Sequence, residues 1–477
     1  SIADNGEIKI MGCNEDAVTV EIPSEIDGKT VTSIGDNAFS DCRGLTEITI
    51  PDSVTSIRTG AFSNCSGLTE ITIPDSVTRI RNSTFSGCSS LIEIMMPDSV
   101  MSIGNSAFSG CSSLTEITIP DNVTMIQAHV FSGCSSLSEI MIPDGVTSIN
   151  EDAFSGCSSL KKIMMPDSVT SIGEKAFYGC SSLTEIMIPD SVMSIWAYAF
   201  CDCGNLTEIT IPNSVTSIKG GAFSGCSSLT AITIPDSVTS IEETVFSGCT
   251  NLTAVTIPDS VTSIGSGAFS DCSSLTQIAI PDGVTSIGDW AFQDCSSLTE
   301  ITIPDSVMGI GRATFSGCSS LTAITIPDSV WIIESYAFSD CDNLTIYGYT
   351  DSYAETYAKE NDIPFVSLGN ITTTETTTTT TETTTTTTES TNTTTELTTA
   401  TSDQTTETTA LTAATTSSAT EPTTATSDTT TKTTATTTTT TTSTATTTNP
   451  ETPTLAKGDV DNSGGIDSTD IFYTMLY

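Results

Sequence analysis

Leu45-Thr46-Glu47-Ile48-Thr49-Ile50-Pro51-Asp52-Ser53-Val54-Thr55-Ser56-Ile57 runs directly into Arg58-Thr59-Gly60-Ala61-Phe62-Ser63-Asn64-Cys65. Residues 45–50 alternate polar with β-branched apolar side chains, the pattern of a short half-buried strand. Pro51 has no N–H to donate and ends it, and Asp52 and Ser53 supply turn chemistry. Val54 and Ile57 predict a second, shorter extended segment. Ala61, Phe62 and Cys65 lie three to four apart, the spacing of one helical turn facing inward.

The unit repeats. Phe recurs from Phe39 and Phe62 to Phe338 in steps of 23 residues (62 − 39 = 23), with no insertion, and a Cys follows three residues after each Phe. Fourteen repeats account for fourteen of the 16 cysteines, from Cys42 to Cys341, leaving Cys13 and Cys201 outside the column. The apolar side chains of one repeat give ~10–15 kcal/mol on burial, no more than the ordering of its backbone costs. One repeat therefore cannot fold alone, and stacked neighbours must share a continuous core. Strands ~4.8 Å apart make such a stack roughly 65 Å long.

Composition narrows the function. The chain has 477 residues, 14 Lys+Arg against 58 Asp+Glu, one His and a formal net charge of −44. Such a surface repels nucleic acid and anionic lipid and favours cations and basic partners. No apolar run approaches the ~18 residues of a membrane-spanning helix, so membrane insertion is not expected. Ser1 is not a start methionine, and the chain reads as a mature or excised secreted form. The organisation predicted is an N-terminal cap (1–33), fourteen repeats (34–343), a C-terminal cap (344–368), a Thr-rich linker (369–457) and a short terminal piece (458–477).

The pattern Leu-x-x-Ile-x-Ile-Pro-x-x-Val-x-x-Ile-Gly-x-x-Ala-Phe-x-x-Cys-x-x-Leu closely resembles the BspA-like (Treponema pallidum type) leucine-rich repeats over residues 18–368. Residues 22–31 look like that family's opening segment and residues 346–364 like its closing one. The resemblance implies a leucine-rich-repeat solenoid of short parallel strands and short helical turns. It implies a closing helix near Tyr353–Asn361 over the last open core layer. It also implies secreted, surface-associated proteins that bind host, matrix or neighbouring-cell ligands, without catalysis.

In a stack the column cysteines face inward as small buried hydrophobes. Parallel, in-register side chains point the same way, so disulfides between successive repeats are not expected. A one-column ladder cannot surround zinc. Free thiols in a secreted chain suggest a reducing or anaerobic habitat. Cys201, two residues before Cys203, is expected to face outward as the best candidate for a reactive thiol.

Binding residues belong among the positions that vary from repeat to repeat. The first outward strand position is Glu in Glu47, Glu70, Glu93, Glu116 and Glu139, turns to Lys162, and later becomes Ala231, Ala254, Gln277 and Ala323. The second is mostly Thr but is Met95, Met141, Met164 and Met187 in the middle repeats. With Lys161 and Lys162, these adaptable Met side chains form a candidate protein-binding face. Trp196 and Trp290, with Tyr198, Trp331 and Tyr336, are candidates for stacking on sugars. The Asp after each Pro caps its own turn. Carboxylates that recur in every repeat are not the unique pair of a glycosidase. His129, the single His, sits at a variable loop position with no Ser or Cys partner to make a nucleophilic pair. The chain is not expected to be an enzyme.

From about Asn370 to Lys457 Thr dominates and the period vanishes, as in a disordered linker. Its flexible span is roughly 50 Å. Dense Thr suits O-glycosylation, and Asn370 and Asn392 open Asn-x-Thr sequons. Residues 459–470 then fit a calcium loop of EF-hand type. Asp459, Asp461, Ser463, Asp467 and Asp470 supply oxygen ligands, Gly465 its carbonyl, and Gly464 the sharp turn. Residues 458–477 resemble the first half of a dockerin, whose usual form has two such loops. That resemblance implies a cohesin module of a scaffold as partner, chosen with the help of Ser468 and Thr469, and a cellulosome-type setting. Two other functions remain open: recognition of plant cell-wall polysaccharide, and a non-catalytic part of a larger dockerin-bearing enzyme.

Overall fold

The computed structural model describes residues 7–14 and 16–370. The Thr-rich tract beyond Asn370 and the expected calcium loop lie outside the described residues. In the quoted unit a three-residue strand, Glu47–Thr49, is followed by a two-residue strand, Ser56–Ile57. Most later repeats form the same pair. Pairing is parallel and in register with the sequence period: Glu139 lies against Lys162, Ile140 against Ile163 and Met141 against Met164. Each repeat is thus one coil of a parallel solenoid, and the same position in successive coils forms a column.

Along most of the three-residue strands the middle side chain is buried and its neighbours exposed, as alternation demands, while Val255 in Ala254–Thr256 is half-buried. Ile48, Ile50, Val54, Ile57, Ala61, Phe62, Cys65 and Leu68 fill one coil's share of a continuous core. The Phe column stacks ring on ring, with centroids 5.2 Å apart at the start and at most 5.7 Å apart further along. A substitution in one coil is felt in both neighbours, because each ring from Phe62 to Phe315 has a stacked partner on either side.

The segment around Phe62 is not the helical turn that its spacing predicts. Ala61, Ser63 and Cys65 donate their N–H groups three residues back, to Arg58, Gly60 and Phe62. Gly60, Phe62 and Asn64 donate instead to Asn82, Thr84 and Ser86 of the next coil. Every second N–H leaves the coil, so no helix can propagate. The alternation needs two left-handed residues per coil, here Gly60 (φ 64°) and Asn64 (φ 60°). The column of Asn64 holds only Gly, Asn and Asp, such as Gly156 and Asp202, the residues that tolerate this conformation best.

Fourteen cysteines are free and buried, and Cys13 is disulfide-bonded to Cys42, tying the N-terminal cap to the first coil. Column thiols also donate hydrogen bonds: Cys157 Sγ lies 3.2 Å from the carbonyl oxygen of Phe131 in the preceding coil. Cys201 does not face outward. It is only 8 % exposed. It occupies the Ser63 column between Tyr178 and Ser224, where a small side chain sinks between its neighbours. Burial first, and the Asp202 charge second, push its thiol up to about 11, so it is a poor nucleophile.

At the N-terminus, strands Ile8–Ile10 and Lys29–Ile34 pair in parallel, and Glu25–Ile26 folds back on the latter. At the C-terminus the expected helix spans Tyr353–Glu360, capped by Ser352, whose side chain accepts from the Glu355 N–H at 3.2 Å. Its Tyr357 meets Phe338 edge-on at 5.9 Å and closes the ring stack. Strands Thr345–Thr350 and Phe365–Asn370 finish the sheet on that side. No helix of the described residues is long and apolar enough to cross a membrane.

Candidate ligand-binding face

The exposed face of the three-residue strands carries the candidate site. Strands Glu93–Met95, Glu139–Met141, Lys162–Met164 and Glu185–Met187 bury their central Ile and turn both flanking side chains outward. Met141 is 69 % exposed and Met187 74 %, and Met95 and Met164 are more than half exposed. Met101, Met193 and Met308, outside these strands, are exposed to a similar degree, so what distinguishes the strand-face methionines is their pairing in one column. In-register pairing sets Met164 directly beside Met141 and Lys162 beside Glu139. Lys161 is also exposed, one residue before this strand.

Met95, Met141, Lys162 and Met164 edge one open groove of about 490 Å³, whereas Lys161 and Met187 lie outside its lining. Met95, Met96, Met141 and Met164 supply its apolar lining, and Glu93, Glu116, Glu139 and Lys162 its charge. The groove lies over residues 114–119, which form no strand. A larger groove of about 680 Å³ opens on the same face around Gln277 and Ala279, in another coil without this strand. Sequence reading missed it as a site, although the change from Glu to Ala254, Gln277 and Ala323 was its signal: small side chains leave space. It lacks the Met lining and keeps Glu300 and Asp282 as charges.

Trp196 and Trp290 are not brought together. Trp196 follows the second strand, Ser194–Ile195, away from the Met column. Trp290 stands in the left-handed turn column (φ 57°). Both are exposed, but their coils lie four repeats apart (292 − 200 = 92 = 4 × 23, counting between Phe200 and Phe292). Asp459, Asp461, Ser463, Gly465, Asp467, Asp470, Ser468 and Thr469 lie outside the described residues.

Comparison with known proteins follows the repeat. The model of the BspA type leucine rich repeat region matches residues 18–138, 125–253 and 221–345. A leucine-rich repeat protein from Bacteroides ovatus is 32 % identical over 73 % of this chain and 97 % of its own, with a TM-score of 0.61. A leucine rich cell surface protein from Faecalibacterium prausnitzii is 31 % identical over 75 % of this chain and 94 % of its own, with a TM-score of 0.48. No curated protein matches.

Proposed function

The chain belongs to the BspA type leucine-rich repeat family, and from that premise we propose that it is a non-catalytic surface protein that binds a protein ligand across its middle coils. The observation that carries this reading is the groove in which paired Met141 and Met164 lie beside paired Glu139 and Lys162. Adaptable thioethers supply contact area, and the flanking charges fix orientation. The non-catalytic reading is supported by the strand-face carboxylates, which recur from coil to coil rather than forming one unique pair.

The rest of the chain completes the proposal. The Thr-rich tract spaces the solenoid from its anchor. The loop at Asp459, Asp461, Ser463, Gly465, Asp467 and Asp470 holds Ca²⁺ and attaches the chain to a cohesin module, with Ser468 and Thr469 choosing the partner. Spacing of the oxygen ligands supports this. Binding to plant cell-wall polysaccharide through Trp196 and Trp290 is the weaker reading, because those rings sit on distant coils.

Retention of the full chain on matrix proteins, bacterial cells and insoluble polysaccharides tests these readings. Binding to a protein or cell surface that Met141→Ser/Lys162→Glu/Met164→Ser abolishes is the expected result. Retention on polysaccharide alone, lost on Trp196→Ala, would replace the protein reading by the glycan one.

A further inference from the structure

We propose that His129, Glu151 and Asp152 form a binding site for a divalent transition ion of the Zn²⁺ class, in the turn column and separate from the strand-face groove. The solenoid sets these three residues together. His129 and Asp152 are one period apart (152 − 129 = 23) and occupy the same column in adjacent coils. Both are left-handed (φ 57° and 50°), so their side chains leave equivalent backbone positions. The His129 N–H donates to the Glu151 carbonyl oxygen at 2.9 Å, which locks the two coils together at this point.

The side chains then converge. His129 Nδ1 lies 3.7 Å from Asp152 Oδ2, and one ligand atom from each of the three residues lies within 4.8 Å of the other two. Two donors sharing a tetrahedral ion at ~2.1 Å stand about 3.4 Å apart, close to the His129–Asp152 separation and longer than a hydrogen bond. Glu151 is exposed, and its carboxylate already reaches this group. Asp152 is only 16 % exposed, so part of its hydration is already lost, and an ion would replace it. Among the described residues no other three His, Cys, Asp or Glu side chains gather their ligand atoms in this way, despite 58 Asp+Glu in the chain. The next residue of the column, Lys175, is occupied by Glu174 at 3.1 Å.

Donor chemistry selects the ion. One imidazole nitrogen with two carboxylates suits Zn²⁺ and its neighbours, whereas Ca²⁺ and Mg²⁺ take oxygen ligands and gain nothing from the imidazole. With three protein ligands at the surface, the ion keeps a position open to water.

The test is calorimetric titration of ZnCl₂ into the full chain without any His tag, in excess Ca²⁺ to occupy oxygen-only sites. One saturable equivalent is expected in the parent protein. His129→Gly keeps the left-handed turn, since Gly60 and Gly221 fill the same column, and its urea midpoint without Zn²⁺ verifies the fold. At least about a tenfold loss of affinity is expected in this variant, and a similar loss in Asp152→Asn. Glu151→Gln, at an exposed position, is expected to weaken binding as well. No saturable uptake by the parent protein, or equal affinity in His129→Gly, overturns the site. So does a loss confined to His129→Gly with both carboxylate variants unaffected.

Discussion

The column cysteine is at once a small buried hydrophobe and a hydrogen-bond donor: Cys157 Sγ donates to Phe131 O at 3.2 Å. The burial of Cys201 was not legible in the sequence: its two-residue offset from Cys203 suggests an outward side chain, but local spacing does not reveal how Tyr178 and Ser224 flank it from the adjoining coils. Burial has a consequence for stability. It is the main cause that pushes the thiols of Cys111, Cys157, Cys249 and Cys295 up to about 12. An unfolded thiol ionises near ~8.5. As pH rises the unfolded chain therefore loses protons first. The stability these thiols contribute is whole below about pH 8.5 and is lost progressively as pH climbs towards 12, at about 1.4 kcal/mol per thiol per pH unit. Urea midpoints are expected to fall between pH 8 and pH 10.5. A variant with these four cysteines changed to Ala is expected to be less stable at neutral pH yet to show a shallower fall. Equal slopes in the two proteins would assign the alkaline loss to other groups.

At the scale of the element, the coil is the unit of folding and the column the unit of cohesion. Removing residues 206–228 takes out one whole 23-residue period and rejoins every column in register. Inserting one Ala after Ser224 instead breaks the alternation in which Phe223 and Gly225 donate to the next coil while Ser224 and Cys226 donate within their own. Nearest-neighbour energetics then predict opposite outcomes. The deletion is expected to keep a single urea transition close to that of the parent. The one-residue insertion is expected to split unfolding into two transitions and to open a proteolytic site near Ser224. A single unchanged transition in the insertion variant would mean that the turn segment absorbs the extra residue as a bulge. The coil itself was legible because periodicity fixes which side chains are buried. The turn was misread because the Ala-Phe-x-x-Cys spacing fits a helical turn and an alternating turn equally. The grooves were legible in part: the Met column and the small Ala254 and Ala323 lie where they open, but the loss of a strand beneath each was not. Residues 45–50 and 114–119 share the hexapeptide Leu-Thr-Glu-Ile-Thr-Ile, yet only the first contains a strand, Glu47–Thr49. Identical sequences cannot encode that difference locally; it arises from the neighbouring coils.

Over the whole molecule, charge sets the terms of any encounter. On the proposed reading, a formal net charge of −44 and the Glu93, Glu116 and Glu139 side chains lining the Met groove favour a basic partner. Long-range attraction governs the rate of meeting, while desolvated contacts govern how long the complex lasts. The two contributions are separable by experiment. Association of the ligand identified by retention is expected to slow by roughly tenfold as salt rises from about 50 mM to about 500 mM, because the Debye length shrinks below the separation of the approaching charges. The Glu93→Gln/Glu116→Gln/Glu139→Gln variant is expected to associate more slowly at low salt and to converge with the parent at high salt, with little change in dissociation. Met141→Ala is expected to do the reverse, speeding dissociation while keeping the salt slope. Surface plasmon resonance of the full chain measures both rates. An association rate that rises with salt would mean an acidic partner that must overcome the field of the solenoid, and would move the site to Lys161 and Lys162, the basic interruption of the acidic column.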